Sequence, residues 1–184
     1  MGSLVESNTK QVTIETPRLS MRPLQREDAP ALAQLGTDEV FELVPDIETP
    51  FDAREWVERK LKNEQPNICH VVLLRETGVP IGYVQAGLMV GKTNYEITIG
   101  FWLGRDYWGN GYATEALSAV LENLTEEETE TKKLRPLFAH VHERNSPSIR
   151  VLEKCGFTLE GPALETDLET EWQEGMLRYR WKRD

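Results

Sequence analysis

The spacing of hydrophobic and polar residues changes period several times along the chain, and each change marks an element. Residues 18–24 (RLSMRPL) set Leu19 and Met21 against Arg18, Ser20 and Arg22, an alternation that predicts a strand. A helix is predicted from Asp28, its N-cap, to Gly36, its stop, with Pro30 in the first turn. Thr49-Pro50-Phe51-Asp52 has the form of a capping box heading a second helix to Gln65, whose apolar stripe holds Trp56, Val57 and Leu61. CHVVLLRE (69–76) and PIGYVQAGLMV (80–90) read as strands. NYEITIGFWL (94–103) alternates throughout, with Tyr95, Ile97, Ile99, Phe101 and Leu103 on one face and Glu96, Thr98, Gly100 and Trp102 on the other. The period then lengthens: Ala113, Ala116, Leu117, Val120, Leu121 and Leu124 line one side of a helix. The acidic run TEEETETKK (125–133) reads as a solvated connection. A strand (134–143), a short helix from Asn145 or Ser146 to Gly156, and strands at 157–161 and 176–182 complete an α+β pattern on a mixed, mostly antiparallel sheet.

This pattern decides between two glycine-bearing stretches. AGLMVGKT (86–93) has the spacing of a phosphate-gripping P-loop, but that loop needs a helix directly after its Lys-Thr. Here Lys92 and Thr93 lead into a two-residue period, so VGKTN is the turn of a hairpin. The second stretch, GRDYWGNGYATEA (104–116), stands between a strand and a helix. Gly109 and Gly111 free the backbone to turn successive amides inward, and the helix N-terminus adds partial positive charge. Small Ala113 lets an anion approach. The result is a main-chain cradle for a diphosphate, without the lysine that grips a γ-phosphate. GNGYAT also lacks the third glycine of a dinucleotide fingerprint.

Composition narrows the partners. The 184 residues carry a formal net charge of −10, which opposes a nucleic-acid backbone and tolerates a cationic substrate. The length favours one domain, residues 16–184, behind a loose polar tail, 1–15. Two cysteines, Cys69 and Cys155, form no disulfide framework, and no apolar run reaches a membrane span, so a cytoplasmic protein with no membrane partner is expected. His140 and His142 share a strand face without a third ligand at metal spacing, so no metal is expected. Trp172, Tyr179 and Trp181 read as packing residues.

WGNGYATEAL, preceded by IGFWL and followed by NSPSIRVLEKCGF, resembles the GNAT acyltransferase superfamily. TPRLSMRPLQREDA and the closing W-x-x-x-M-L-x-Y resemble its RimJ/RimL-type branch. The resemblance implies a GNAT fold splayed between its fourth and fifth strands (95–103 and 134–143), with helices on both faces and the pantetheine arm of acetyl-CoA in the gap. It implies pyrophosphate contacts from Trp108, Gly109, Asn110, Gly111, Tyr112, Ala113 and Thr114. Backbone groups of Phe101, Trp102 and Leu103, with Asn145 and Ser148, would face the arm. Most members carry Gln or Arg where Trp108 stands; a Trp is usual in that branch, and its side chain is expected to pack rather than hydrogen-bond.

The implied reaction is direct transfer of an acetyl group from acetyl-CoA, the co-substrate, to a primary amine. The favoured acceptor is a protein or peptide N-terminal α-amine. Glu96 is the candidate base and Ser148 the candidate donor to the thiolate, since the position where many members place a tyrosine is Leu152. An amide near Leu103 would meet the oxyanion. A small amine (polyamine, aminoglycoside or amino acid) is the alternative acceptor, and a catalytically silent acyl-CoA-binding module is the alternative class. Monomer and homodimer are both compatible with the sequence.

Overall fold

The computed structural model describes residues 12–42, 44, 47, 50–62, 68–90, 95–131, 136–164 and 174–182. Among the described residues, eight strands form one sheet: β1 (Ile14–Glu15), β2 (Leu19–Pro23), β3 (Ile68–Leu74), β4 (Pro80–Val90), β5 (Tyr95–Leu103), β6 (Leu137–His142), β7 (Phe157–Pro162) and β8 (Met176–Trp181). Their spatial order is β1-β2-β3-β4-β5-β6-β8-β7. Every neighbouring pair is antiparallel except β5–β6, which is parallel. The helices are α1 (Ala29–Leu35), α2 (Asp38–Phe41), α3 (Ala53–Lys62), α4 (Tyr112–Thr131) and α5 (Ser146–Lys154).

The alternation along β5 divides the core between the two faces of the sheet. Ile99 and Leu103 join Leu117, Val120 and Leu121 of α4 and Leu152 of α5 on one face. Trp102 joins Leu32 of α1, Phe41 of α2, and Trp56 and Val57 of α3 on the other. Each such side chain contributes about 1.5–3 kcal/mol through burial. On the second face Phe41, Phe51, Trp56, Tyr83 and Trp102 form a run of tilted and edge-on ring contacts, with centroids 4.7–6.3 Å apart, which orients the rings as well as desolvating them.

The parallel pairing of β5 with β6 stops early. Its register covers Ile97↔Leu137, Thr98↔Phe138 and Ile99↔Ala139. Beyond it, Gly100–Leu103 stay bonded to β4 and His140–His142 to β8, so the two strands part while each keeps its outer neighbour. The sheet therefore splays where the resemblance placed the opening, between the fourth and fifth strands of the sequence count.

Some local expectations are corrected. Ile14 and Glu15 pair with Met21 and Ser20, so the chain enters the sheet before residue 16; residues 1–11 lie outside the described residues. Asp28 does not cap α1 through its side chain. Its buried carboxylate accepts both terminal nitrogens of Arg22, at 2.9 and 2.6 Å, and the Gln25 amide, because a bidentate guanidinium outcompetes a cap. Helix α3 starts at Ala53, and its cap is Asp52, which accepts from the amides of Arg54 and Glu55; Thr49 and residues 63–65 lie outside the described residues. The acidic run continues α4 to Thr131 rather than forming a connection, since it holds no helix breaker and glutamate is a good helix former. Val90 pairs with Tyr95 and no helix follows the Lys-Thr; the hairpin turn itself, 91–94, lies outside the described residues.

Candidate active site

After Leu103 the chain passes through Gly104 and a 3₁₀ turn at Arg105–Tyr107, and reaches Trp108. Gly109 (φ +77°) and Gly111 (φ +78°) then adopt the left-handed conformation, in which side chains cost energy, and α4 begins. The Trp108 amide donates to the Arg105 carbonyl at 3.0 Å. Among the described residues, no amide from Gly109 to Thr114 donates to a protein acceptor. The last three of these head α4, where amides have no partner within the helix. The Asn110 side chain instead folds back, donating to the carbonyls of Tyr107 and Trp108 at 3.3 and 3.0 Å.

Arg18, at the head of β2, braces this loop from behind. Its Nη1 donates to the Asn110 carbonyl at 3.0 Å and its Nε to Glu115 Oε2 at 2.6 Å, and its guanidinium lies 4.7 Å from the centre of the Tyr112 ring. Glu115 Oε1 also accepts from Thr16 Oγ1 and the Arg18 amide, at 2.6 and 3.0 Å. Burial pushes the Glu115 carboxyl up, but the Thr16 and Arg18 hydrogen bonds outweigh it and hold the group below its ordinary value. An ionised Glu115 therefore ties the first turn of α4 to β2.

The loop forms one end of a cleft of about 430 Å³, whose walls come from the end of β5, the start of α4 and one side of α5. Arg150 and Lys154, one helical turn apart, stand on the α5 wall, while Glu39 and Glu42 of the α2 segment lie on the lining as well. The cleft thus carries both signs of charge within a chain of net charge −10. Asn145 Oδ1 accepts the Ser148 amide at 3.2 Å and caps α5. On β5 the Ile97 amide donates toward β6, to the Pro136 carbonyl, so by alternation the amides of Phe101 and Leu103 point to the opened edge. The Leu103 carbonyl on that edge accepts the Trp108 indole N–H at 2.7 Å.

The structure brings Phe101, Trp102, Leu103, Trp108, Gly109, Gly111, Tyr112, Ala113, Thr114, Asn145 and Ser148 to this cleft. Asn110 is not on the lining; its side chain holds the loop's shape. By the alternation of β5 the Trp102 backbone turns toward β4, away from the opened edge. Trp108 hydrogen-bonds, contrary to the expectation that it only packs. Glu96 is not on the lining either: its carboxylate lies 3.0 Å from Arg178 Nη2, half-buried, and Arg178 stacks on Phe138 with its guanidinium 3.5 Å from the ring centre. Leu152 is fully buried and belongs to the core. Sequence reasoning missed Arg18, Arg150 and Lys154. The i, i+4 spacing of the last two beside Ser148 was a usable signal; Arg18 acts 92 residues from its partner in the loop and gave none.

A splayed sheet, unengaged amides at a helix head and cationic side chains on the same cleft suit a ligand with a diphosphate and a long neutral arm. Coenzyme A has that form, and the architecture is that of an acyltransferase. The model of the acetyltransferase (GNAT) domain matches residues 18–158. The chain is 31% identical over 156 residues to the uncharacterized N-acetyltransferase p20 of Bacillus licheniformis, covering 81% of this chain and 84% of that protein. In three dimensions it is similar to Mycobacterium smegmatis RimJ in complex with CoA-disulfide, with a TM-score of 0.70 and 21% identity over 93% of this chain and 87% of that one. It is also similar to RimL, a ribosomal L7/L12 α-N-protein acetyltransferase, with a TM-score of 0.66 and 17% identity over 92% and 93% of the two chains. The chain belongs to the GNAT acetyltransferase family. Among the described residues, no helix is long and apolar enough to cross a membrane.

Proposed function

We propose that this acetyltransferase uses acetyl-CoA to acetylate the α-amine at the N-terminus of a peptide or protein, by direct attack of the amine on the thioester. The observation that carries the reading is the set of unengaged amides from Gly109 to Thr114, opening into a cleft that meets the gap between β5 and β6. Those amides, with Arg150 and Lys154, receive the diphosphate; acetyl-CoA supplies an activated acyl group. The edge amides of Phe101 and Leu103 pair with the neutral arm and meet the oxyanion.

The acceptor nitrogen must lose a proton before it attacks. An α-amine with a pKa near 7.7–8 gives up under about 1 kcal/mol at pH 7.4, while a lysine amine gives up roughly 4 kcal/mol. The α-amine therefore needs only water as its proton acceptor. That suits a cleft whose candidate base, Glu96, is held by Arg178 outside the lining. As the C–N bond forms and the C–S bond breaks, Ser148, which lines the cleft from α5, donates a hydrogen bond to the departing thiolate. The similarity in fold to RimL, a ribosomal L7/L12 α-N-protein acetyltransferase, supports the same acceptor.

The test is thiol release from acetyl-CoA with three acceptors: peptides with a free α-amine, the same peptides N-blocked but bearing lysine, and small polyamines. Release with the first set alone is expected. Release with polyamines alone contradicts the peptide reading and favours Glu39 and Glu42 as a site for a small cation. Coenzyme binding without release from any acceptor contradicts the enzyme reading.

A further inference from the structure

On the α1–α3 face of the sheet, Gln85 of β4 lies in register with Gly100 of β5, the first β5 residue beyond the parallel pairing with β6. Lys60 Nζ donates to Gln85 Oε1 at 2.8 Å and Tyr83 Oη donates to the same atom at 3.1 Å. An ammonium only donates, so the atom facing Lys60 is the oxygen and the orientation of the amide is fixed. Both donors are themselves held: Tyr83 is buried among the rings of that face, and the Lys60 ammonium lies 5.7 Å from the centre of the Trp56 ring. The Gln85 Nε2 is thereby turned over Gly100, where it lies 3.1 Å from the point a Cβ would occupy. It donates to no described residue. A locked amide donor thus stands at the closed end of the gap, on the face opposite α4 and α5.

We infer that Gln85 is a specificity-determining residue that donates from Nε2 to the carbonyl oxygen adjoining the acceptor's α-amine. The inference rests on the acyl-transfer reading above and deepens it. With the coenzyme entering from the α4–α5 face, the acceptor reaches the thioester from the other, past Gly100. A peptide N-terminus carries a carbonyl next to its α-carbon; an aliphatic polyamine carries none. The donor therefore selects acceptors with an α-amino carbonyl, and the absent Cβ at Gly100 leaves room for it.

A double-mutant cycle between enzyme and acceptor tests this. One acceptor is a short peptide; the other is its trans-alkene isostere, in which the first peptide bond is replaced by a carbon–carbon double bond. Gln85→Leu removes the donor and the lock. Gln85→Glu keeps an oxygen for Lys60 and Tyr83 but removes the donor. Both variants are expected to raise KM for the peptide about tenfold, to leave kcat within about threefold, and to leave KM for the isostere unchanged. Wild-type KM for the peptide in Gln85→Glu, or an equal loss with the isostere, overturns the inference. The Gln85 side-chain amide NMR signal separates it from failure of the reading beneath it: a shift on adding peptide to the CoA-loaded enzyme without turnover sustains the contact, and no shift overturns it.

Discussion

Gly109 and Gly78 offer a matched pair of substitutions that separates backbone strain from ligand contact. Gly109 has φ +77° and Gly78, in the turn between β3 and β4, has φ +69°. A Cβ added at either would meet no protein atom within 4 Å. Alanine at each site therefore carries the left-handed penalty of about 1–2 kcal/mol without a clash, partly offset by about 0.4–1 kcal/mol from a stiffer unfolded chain. A net loss near 1 kcal/mol corresponds to about 2–4 °C in Tm for a chain of this size. Thermal unfolding of the free proteins should show that loss in both. Calorimetric titration with acetyl-CoA should divide them: Gly78→Ala binds as wild type, while at Gly109, which lines the cleft, the added methyl crowds the diphosphate and raises Kd at least about tenfold, or roughly 1.4 kcal/mol. Equal Kd values for Gly109→Ala and wild type, at the expected stability loss, would refute the role given to this backbone.

Other consequences follow from burial and titration. Leu117, fully buried between α4 and the sheet, should lose about 2–5 kcal/mol of stability as alanine, read from urea unfolding, with KM for acetyl-CoA unchanged because it does not line the cleft. His70 is buried on β3; its Nε2 donates to the Val12 carbonyl at 2.8 Å and its Nδ1 has no partner among the described residues. Burial pushes its pKa down, against the raising effect of that hydrogen bond. The unfolded chain then binds the proton first, so stability is full above about pH 6.5 and falls as pH drops from there through the lower native value, by at most about 1.4 kcal/mol per pH unit. Unfolding free energies measured across pH 5–8 should show that slope, and His70→Gln should flatten it.

Strands and long helices were legible because one period repeats across them. The alternation from Tyr95 to Leu103 divided its side chains between two faces, and the structure agrees: Ile99 and Leu103 join α4 in one core cluster and Trp102 joins α3 in the other. Short elements were not legible. The four-residue helix α2 sits in an acidic segment with no complete period, and β1 pairs only two residues. The cradle could be read because glycine spacing and helix onset are local in the chain. Its brace could not: Thr16 and Arg18 meet Glu115 only after β2 is placed beside α4. Glu96 was chosen for the face it occupies; that face was right, but Arg178 comes from β8, and no local pattern announces a partner 82 residues away. Asp28 does hold the N-cap position of α1, but its carboxylate is taken by Arg22, six residues back on β2, and so makes no cap bond.

Backbone amide NMR during titration with CoA reads the diphosphate cradle one nitrogen at a time. The amides of Gly109–Thr114 should shift together and gain protection from exchange as the coenzyme binds, with Trp108, already bonded to Arg105, shifting less. Saturable binding that leaves those six signals in place, with the shifts gathered elsewhere in the fold, would contradict the cradle.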